Sequence, residues 1–337
     1  MKKCPFCGER IGECTEICPF CKEKINGKSK PKSLNFKNIF TSIAKSIFIV
    51  LLLIVIGIVG KYGYMYYMST SLYGTTKLGL EDLDKGQVTY KDTERNKIYT
   101  HAYAISSNAL RKYNDKDMPY AIKGAAAMML SGLRTKNYQQ RKENHYYKES
   151  VELTNKALSI NPNNYVALET MSTVNSLEKN YDAALKNINK AIEQNEECAR
   201  LYFARATVKT YVYKNEEDMR KNYKDFITDI DRAIELAPKN PMYYYIRANV
   251  KLVAQKDLES ALEDTNKSIE LIKNPPAAYY FARAHIKGNM GNYSSALEDC
   301  DKAIALCEQD DSLSEFEKNF FDLKLYQAYR KFLIDKI

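Results

Sequence analysis

The stretch NYDAALKNINKAIEQN at residues 180–195 returns in altered form further along the chain. The later copies are DFITDIDRAIELAP at 225–238, DLESALEDTNKSIELI at 257–272 and NYSSALEDCDKAIALC at 292–307. Each copy follows a second stretch with helical periodicity, such as LYFARATV from 201. Alanines recur where two helices would have to approach closely. The sequence therefore predicts an all-α chain built from repeated helix pairs.

This pattern resembles the tetratricopeptide repeat (TPR), a helix–turn–helix unit of about 34 residues. First helices are expected to start near residues 165, 199, 241 and 277. The resemblance implies a TPR-type helical solenoid over 145–311, and residues 312–337 are predicted to form an amphipathic capping helix. Residues 68–144 are predicted to be a helical linker or a degenerate repeat, with helices at about 92–112 and 118–135.

Charged residues recur at two positions of the repeat. Arginine stands on the first helix of three units and aspartate on the second, and this gives the pairs Arg205 with Asp229, Arg247 with Asp264, and Arg283 with Asp299. The unit from 165 carries the uncharged Met171 and Asn187 at the same two positions. We interpret the pairs as structural, partly buried bidentate ion pairs within each unit. The alternative is a row of arginines that binds an anion.

In the register that the resemblance implies, first helices line a concave groove. The groove positions include an aromatic centre at Phe203, Tyr245 and Phe281, flanked by Asn249 and His285. Aromatic anchors of this kind tend to carry interface energy, so an extended or helical peptide or protein partner with apolar side chains is expected. The alternative is that these rings only pack between neighbouring units.

Four cysteines near the N-terminus form two Cys-x-x-Cys pairs, Cys4 with Cys7 and Cys18 with Cys21. Two tight turns of this kind supply the four thiolates that a tetrahedral zinc ion needs. Residues 1–25 resemble the short zinc ribbons that begin many bacterial membrane proteins, which implies one structural Zn²⁺ per chain. The alternative is a redox or disulfide-bonded pair. Cys14 has no Cys-x-x-Cys partner and is interpreted as a bystander.

A transmembrane helix with an aromatic flank is predicted at 43–67. Residues 47–60 contain no strongly polar side chain, and tyrosines follow at the expected interface. A buried core helix and a signal peptide are the alternatives. Residues 1–45 carry ten Lys/Arg against four Glu, whereas the chain after the span is nearly balanced. The positive-inside rule therefore predicts a cytoplasmic N-terminus and an extracytoplasmic solenoid in the cell membrane.

Function is predicted from this organisation, because no motif for a catalytic site is visible and no enzymatic activity is expected. The preferred interpretation is a single-pass, membrane-anchored scaffold for protein–protein interaction. The alternative is a membrane-tethered regulator whose ribbon and basic linker, residues 26–42, bind nucleic acid or anionic lipid while the solenoid acts as sensor. Nucleic acid is the less favoured ligand, because the folded body carries little basic excess; the linker could contact anionic lipid.

Overall fold

The computed structural model describes residues 1–11, 17–24, 58, 61, 64–65, 67–89, 92–134, 138–212, 216–254, 257–309 and 323–337. The chain divides into two units, Met1–Gly63 and Tyr64–Ile337.

The smaller unit contains a short antiparallel ladder. Strand β1 (Lys2–Lys3) pairs with β2 (Arg10–Ile11), and Lys2 lies opposite Ile11. An isolated antiparallel bridge joins Ile17 to Lys24. The ladder encloses Cys4 and Cys7, and the bridge encloses Cys18 and Cys21. Each Cys-x-x-Cys pair therefore lies in a turn between two paired backbone segments.

The larger unit is helical where it is described. Its helices are α1 (Leu72–Val88), α2 (Asp92–Leu110), α3 (Asp117–Leu133), α4 (Tyr138–Glu143), α5 (His145–Ile160), α6 (Tyr165–Leu177), α7 (Tyr181–Gln194), α8 (Ala199–Val212), α9 (Glu216–Leu236), α10 (Pro241–Ala254), α11 (Leu258–Glu270), α12 (Ala277–Asn289), α13 (Tyr293–Gln309) and α14 (Leu323–Ile334).

Helices pack in pairs along this unit, and the short α4 lies between the two members of the first pair in the chain. The pairs are α3 with α5, α6 with α7, α8 with α9, α10 with α11, and α12 with α13, and α14 packs on α13. The first of these pairs begins at Asp117, inside the segment predicted as a linker or degenerate repeat, and α1 and α2 pack before it. Helices α2 and α3 lie where the sequence predicted helices at about 92–112 and 118–135.

Small side chains allow the paired helices to approach closely. Alanines at the recurrent positions are completely buried, among them Ala157, Ala184, Ala191, Ala206, Ala233, Ala248, Ala261, Ala284, Ala296 and Ala303. A methyl group fills the space between two helix backbones without forcing them apart, as close packing of the interior requires. Larger apolar residues, such as Ile188, Ile230 and Ile286, fill the wider gaps beside them.

Helix α1 packs on α2 and α3 through two glycines. A Cβ atom at Gly79 would lie 2.6 Å from Ile122, and one at Gly86 would lie 2.3 Å from the Tyr99 ring. At these distances a Cβ at either position would force the neighbouring side chain to move. The absence of a Cβ thus lets α1 lie directly against its neighbours, and this brings its last turn close to the first helices of the repeats.

Helix α14 closes the C-terminal end of the array. Its Tyr326 and Leu333 are buried. The Cys300 thiol of α13 donates to the Tyr326 carbonyl at 3.3 Å, and Arg330 binds Asp301 of α13 at 2.5 Å. The C-terminal residues predicted to cap the array therefore include a helix that covers α12 and α13.

None of the helices in the described part of the chain is long and apolar enough to cross a membrane. Most of the span predicted at 43–67 lies outside the described residues, which include only Ile58, Lys61, Tyr64, Met65 and Tyr67 from it. The linker predicted at 26–42 and the bystander Cys14 also lie outside the described residues.

Candidate functional site

The structure brings the four predicted metal ligands together. The sulfur atoms of Cys4, Cys7, Cys18 and Cys21 all lie within 4.8 Å of one another. The Cys4–Cys21 sulfur separation is 3.7 Å and the Cys7–Cys18 separation is 3.6 Å. A disulfide bond needs about 2.05 Å, so neither contact is a disulfide.

Two backbone turns position these thiols. In the first turn the Gly8 amide donates to the Cys4 carbonyl at 3.0 Å, and in the second the Lys22 amide donates to the Cys18 carbonyl at 2.8 Å. Gly8 has φ +76° and Lys22 has φ +58°, so both turns end in the left-handed region. Lysine adopts this conformation at some cost, whereas glycine adopts it freely.

Backbone amides also lower the pKa of one of these thiols. The N–H groups of Cys21 and Phe20 point at the Cys18 sulfur, and they lower the pKa of Cys18 to about 7 against the opposing effect of burial. Hydrogen bonds to the charged form favour the thiolate, and the thiolate is the form that binds a metal.

The residues fit a tetrahedral metal ion. With metal–sulfur bonds of about 2.3 Å, a tetrahedral site needs sulfur–sulfur edges of about 3.8 Å. The Cys4–Cys21 and Cys7–Cys18 separations are within about 0.2 Å of that edge. Cys4 and Cys18 are buried while Cys7 is exposed, so the site lies at the surface of a small unit. Four thiolates at these distances could bind a metal ion.

The structure also brings together the three charged pairs of the repeats. Arg205 Nε lies 3.0 Å from Asp229, Arg247 Nε lies 2.9 Å from Asp264, and Arg283 Nε lies 2.8 Å from Asp299. The three aspartates are buried at their side chains. In each pair the guanidinium joins the first helix of a unit to its second helix.

Each of these aspartates also binds a lysine that was not predicted from the sequence. Lys209 binds Asp229 at 2.8 Å, Lys251 binds Asp264 at 2.9 Å, and Lys287 binds Asp299 at 2.7 Å. Each lysine stands four residues after its arginine, one helical turn further along the same face. This spacing was visible in the sequence and could have identified the lysines.

Two cations on one carboxylate offset the cost of burying it. Burial disfavours the charged form of Asp299, but hydrogen bonds from Arg283 and Lys287 outweigh that effect and lower the pKa of Asp299. The carboxylate is therefore ionised in the folded chain at neutral pH.

Each arginine also reaches the preceding unit. Arg205 donates to Asn189 of α7 at 3.0 Å, Arg247 to Asp231 of α9 at 2.6 Å, and Arg283 to Asn266 of α11 at 2.9 Å. These acceptors sit two residues after the aspartate position of their own helix. Asp301 occupies that position in the last pair, where Arg330 of α14 binds it. The three guanidinium groups thus have acceptors within their own unit and the preceding one, and no bound anion is needed to explain why arginine recurs at this position.

The predicted groove residues divide between two cavities. Tyr245, Asn249, Phe281 and His285 line one cavity of about 210 Å³ together with Leu252, Ala278 and Ala282. Helix α14 contributes Leu325 and Tyr326 to the same cavity. Phe203 lines a different cavity, between the first helices and α1 to α3. The aromatic row is therefore not a single open surface.

Aromatic contacts shape the first of these cavities. Tyr245 stacks on Tyr279 at 4.2 Å between ring centroids, and Phe281 lies 4.1 Å from Tyr326. Burial lowers the pKa of His285, and its buried Nε2 has no hydrogen-bond partner among the described residues. A neutral imidazole and the Asn249 amide are thus polar groups in a cavity whose other walls are apolar or aromatic.

Residues 277–310 match the model of the tetratricopeptide repeat. This is the helix pair α12 and α13. The larger unit is accordingly an all-α, TPR-like helical solenoid where it is described. No curated protein matches this chain.

Similar solved structures include the Cut9–Hcn1 hetero-tetramer of the APC/C, with a TM-score of 0.54 and 13% identity over 86% of this chain and 48% of that chain. A TPR protein from Parabacteroides merdae has a TM-score of 0.42 and 18% identity over 78% of this chain and 84% of that chain. YrrB, described as a TPR protein with an unusual peptide-binding site, has a TM-score of 0.42 and 18% identity over 61% of this chain and 94% of that chain. At such identities, similarity shows at most the fold.

In the aspartate network of the TPR-like solenoid, removal of the aspartate is predicted to cost much more free energy of unfolding than removal of its lysine. Asp264→Ala leaves Arg247 and Lys251 without their carboxylate and is expected to lower the free energy of unfolding by about 3 kcal/mol. Lys251→Ala should cost less than half of that, because Arg247 still neutralises Asp264. The Arg247→Ala and Asp264→Ala double variant should cost clearly less than the sum of its single changes. Denaturant unfolding of the chain in detergent measures the free energy of unfolding for Asp264→Ala, Lys251→Ala, Arg247→Ala and the double variant.

Arg232→Ala is the matched control, because the contacts of Arg232 are with exposed Glu235 on the same helix and with the Tyr202 ring rather than with a buried carboxylate. We expect this change to stay within about 0.5 kcal/mol of the parent chain. Strictly additive costs for Arg247 and Asp264 would contradict the network.

The cysteine cluster predicts one zinc per chain by elemental analysis of the purified protein. Cys18→Ser is expected to lose the metal, because it removes one of four ligands that lie within 4.8 Å. Cys14→Ser should retain a full equivalent, since Cys14 is predicted to be a bystander. A chain without zinc, or a Cys14→Ser variant that loses it, would show the ligand assignment to be wrong.

Proposed function

We propose that this chain is a membrane-anchored scaffold for protein–protein interaction rather than an enzyme, and that its TPR-like solenoid binds a protein or peptide partner. The observation that carries the proposal is the cavity between α10, α12 and α14. It combines aromatic walls with two polar groups, Asn249 and His285, and it opens at the groove positions of consecutive repeats.

The chemistry of this cavity favours an apolar or aromatic side chain from the partner. Tyr245 and Phe281 offer ring faces, and Leu252 and Leu325 offer aliphatic contact. The His285 Nε2 and the side-chain oxygen of Asn249 provide hydrogen-bonding groups for a backbone or a polar tip, whereas the Asn249 Nδ2 already donates to the Tyr245 carbonyl at 2.9 Å. Pockets with a few convergent polar groups in apolar walls are typical of specific recognition sites.

The anchoring part of the proposal rests on the sequence. The apolar run at 47–60, extended by residues 43–46, approaches the length of about 20 residues that spans a bilayer, and it is followed by tyrosines. In the described helical residues beyond it, Tyr64, Met65 and Tyr67 are exposed, as side chains at a lipid interface would be. The basic linker at 26–42 would then lie beside anionic headgroups.

The ribbon would lie on the other side of the membrane from the solenoid. A zinc ion held by Cys4, Cys7, Cys18 and Cys21 would supply the stability that so small a unit cannot gain from apolar burial. A reducing cytoplasm keeps such thiols available for metal. We infer that the ribbon is structural and docks a cytoplasmic partner.

Partner binding can be tested with a peptide selected from a random library on the full chain in nanodiscs. Leu325→Glu places a carboxylate at the cavity and is expected to weaken binding of that peptide at least about tenfold. Leu325 is 52% exposed, so the change should leave the fold intact. Fluorescence anisotropy measures the affinity, and thermal melting checks the fold.

Ile334→Glu is the matched control for this experiment. Ile334 lies on the same helix and is 46% exposed, but it does not line the cavity. Equal binding by both glutamate variants, or a library that yields no binder, would refute the partner site.

The orientation can be tested by labelling intact cells with a thiol reagent that does not cross membranes. A Lys224→Cys variant is expected to react, because Lys224 is exposed on the solenoid. The four ribbon cysteines should remain unreacted even after a permeant chelator removes the metal, and should react once the cells are lysed. Labelling of the ribbon but not of position 224 in intact cells would reverse the proposed orientation.

A further inference from the structure

A second cavity, of about 260 Å³, lies between the N-terminal helices and the first helices of the repeats. The proposed peptide site does not use it. Its walls come from α1, α2 and α3 on one side and from α6, α8 and α10 on the other, and the residues that matter below are Leu83, Arg95, Met128, Thr173, Arg200 and Phe203.

The last turn of α1 forms the roof of this cavity. Arg200 donates to Asp84 at 2.9 Å, and the Tyr243 hydroxyl donates to Gln87 at 3.2 Å. These contacts join residues 116 and 156 positions apart in the chain. Leu83 and Gln87 of the same turn line the cavity. Because α1 crosses here, this part of the groove does not offer a channel for an extended chain.

The far wall contains a buried ion pair. Arg200 donates to Glu169, and each of the two residues is 7% exposed. They occupy groove positions of consecutive units, on α8 and α6. Glu169 therefore neutralises Arg200 within the lining, and the exposed Asp84 adds a further negative charge at the rim.

A second arginine in the lining is not neutralised from inside. Among the described ion pairs, Arg95 of α2 has one, with Asp92 at 3.1 Å on the exposed side, where the Asp92 side chain is 71% exposed. A side-chain hydrogen bond also joins Arg95 to the buried Tyr99, whose phenol carries no charge to neutralise it. The Arg95 Nε is buried and has no hydrogen-bond partner among the described residues. Buried donors normally have an acceptor, so this group calls for a negatively charged or carbonyl oxygen.

Most of the remaining lining is apolar and adaptable, with Gln87, Thr170 and Thr173 as its polar members. Met128, Met129 and Met242 converge here with Leu83 and Phe203. Methionine side chains have several rotatable bonds and a polarisable sulfur, so they adjust to ligands of different outline. A cavity of about 150 Å³ is enough to bind benzene, so this one is large enough for a ring or chain with a short extension.

We propose that this cavity binds a small carboxylic acid with an apolar body, whose carboxylate accepts from Arg95 and whose apolar part lies among the methionines. The closed roof selects a free small acid over the end of a peptide chain. The site is separate from the peptide cavity, so its failure would leave the proposed scaffold function untouched.

Equilibrium dialysis of radiolabelled 3-phenylpropanoate against the full chain in nanodiscs tests this proposal, with empty nanodiscs subtracted. The neutral isostere 3-phenylpropanamide should bind at least about tenfold more weakly, since it lacks the charge that Arg95 would meet. Arg95→Gln should weaken acid binding by a similar factor and leave amide binding unchanged. Lys97→Gln, which removes an exposed charge from the same helix, should change neither.

A blocking variant separates the cavity from general charge effects. Thr173→Leu adds bulk at the wall and should abolish binding of both compounds. Thr207→Leu is its control, because Thr207 makes the same hydroxyl bond to the carbonyl four residues earlier but does not line the cavity. Equal affinity for acid and amide, equal effects of the two glutamine variants, or tighter binding by a peptide with a free C-terminus than by its amidated form would overturn the proposal.

Discussion

Asp229, Asp264 and Asp299 place carboxylates inside a helical array, where an unpaired charge would be strongly destabilising. The chain neutralises each with an arginine and a lysine from the first helix of the same unit. The geometry is demanding, since both cations must come from one face of one helix, a turn apart. This requirement fixes how the two helices of a unit are rotated against each other, and the packing of the alanines then sets their separation.

The same arginines determine how one unit follows the next. Their remaining guanidinium nitrogens reach an acceptor on the second helix of the preceding unit, and Arg330 of α14 meets the corresponding Asp301 at the end of the array. Intra-unit and inter-unit geometry are thus coupled through single side chains. The unit of α6 and α7 carries Met171 and Asn187 instead, and there Glu169 pairs with Arg200 on the groove side. The unit that lacks the Arg–Asp pair is thus joined to the next unit by an ion pair between their first helices.

The groove that results is not uniform along its length. The last turn of α1 closes its N-terminal part and leaves an amphipathic cavity beneath, whereas α14 borders its C-terminal part and leaves an aromatic one. The glycines of α1 are the local cause of the first arrangement, because only they allow the helix to lie against Tyr99 and Ile122. One solenoid thereby offers two chemically distinct recesses built from equivalent positions of its repeats.

The sequence by itself determined the all-α repeat plan, the three Arg–Asp pairings and the four clustered cysteines, because each depends on a spacing that short-range geometry converts directly into contact. The lysine partners could also have been predicted from the sequence, because each stands one helical turn after its arginine. Only the tertiary structure decided that Phe203 is separated from Tyr245 and Phe281, that Leu325 and Tyr326 complete the peptide cavity, and that Arg95 and Arg200 line a second one. Those arrangements depend on contacts between distant parts of the chain, such as Arg200 with Asp84 116 positions away. They follow from the sum of many small rotations between units, which no local pattern records.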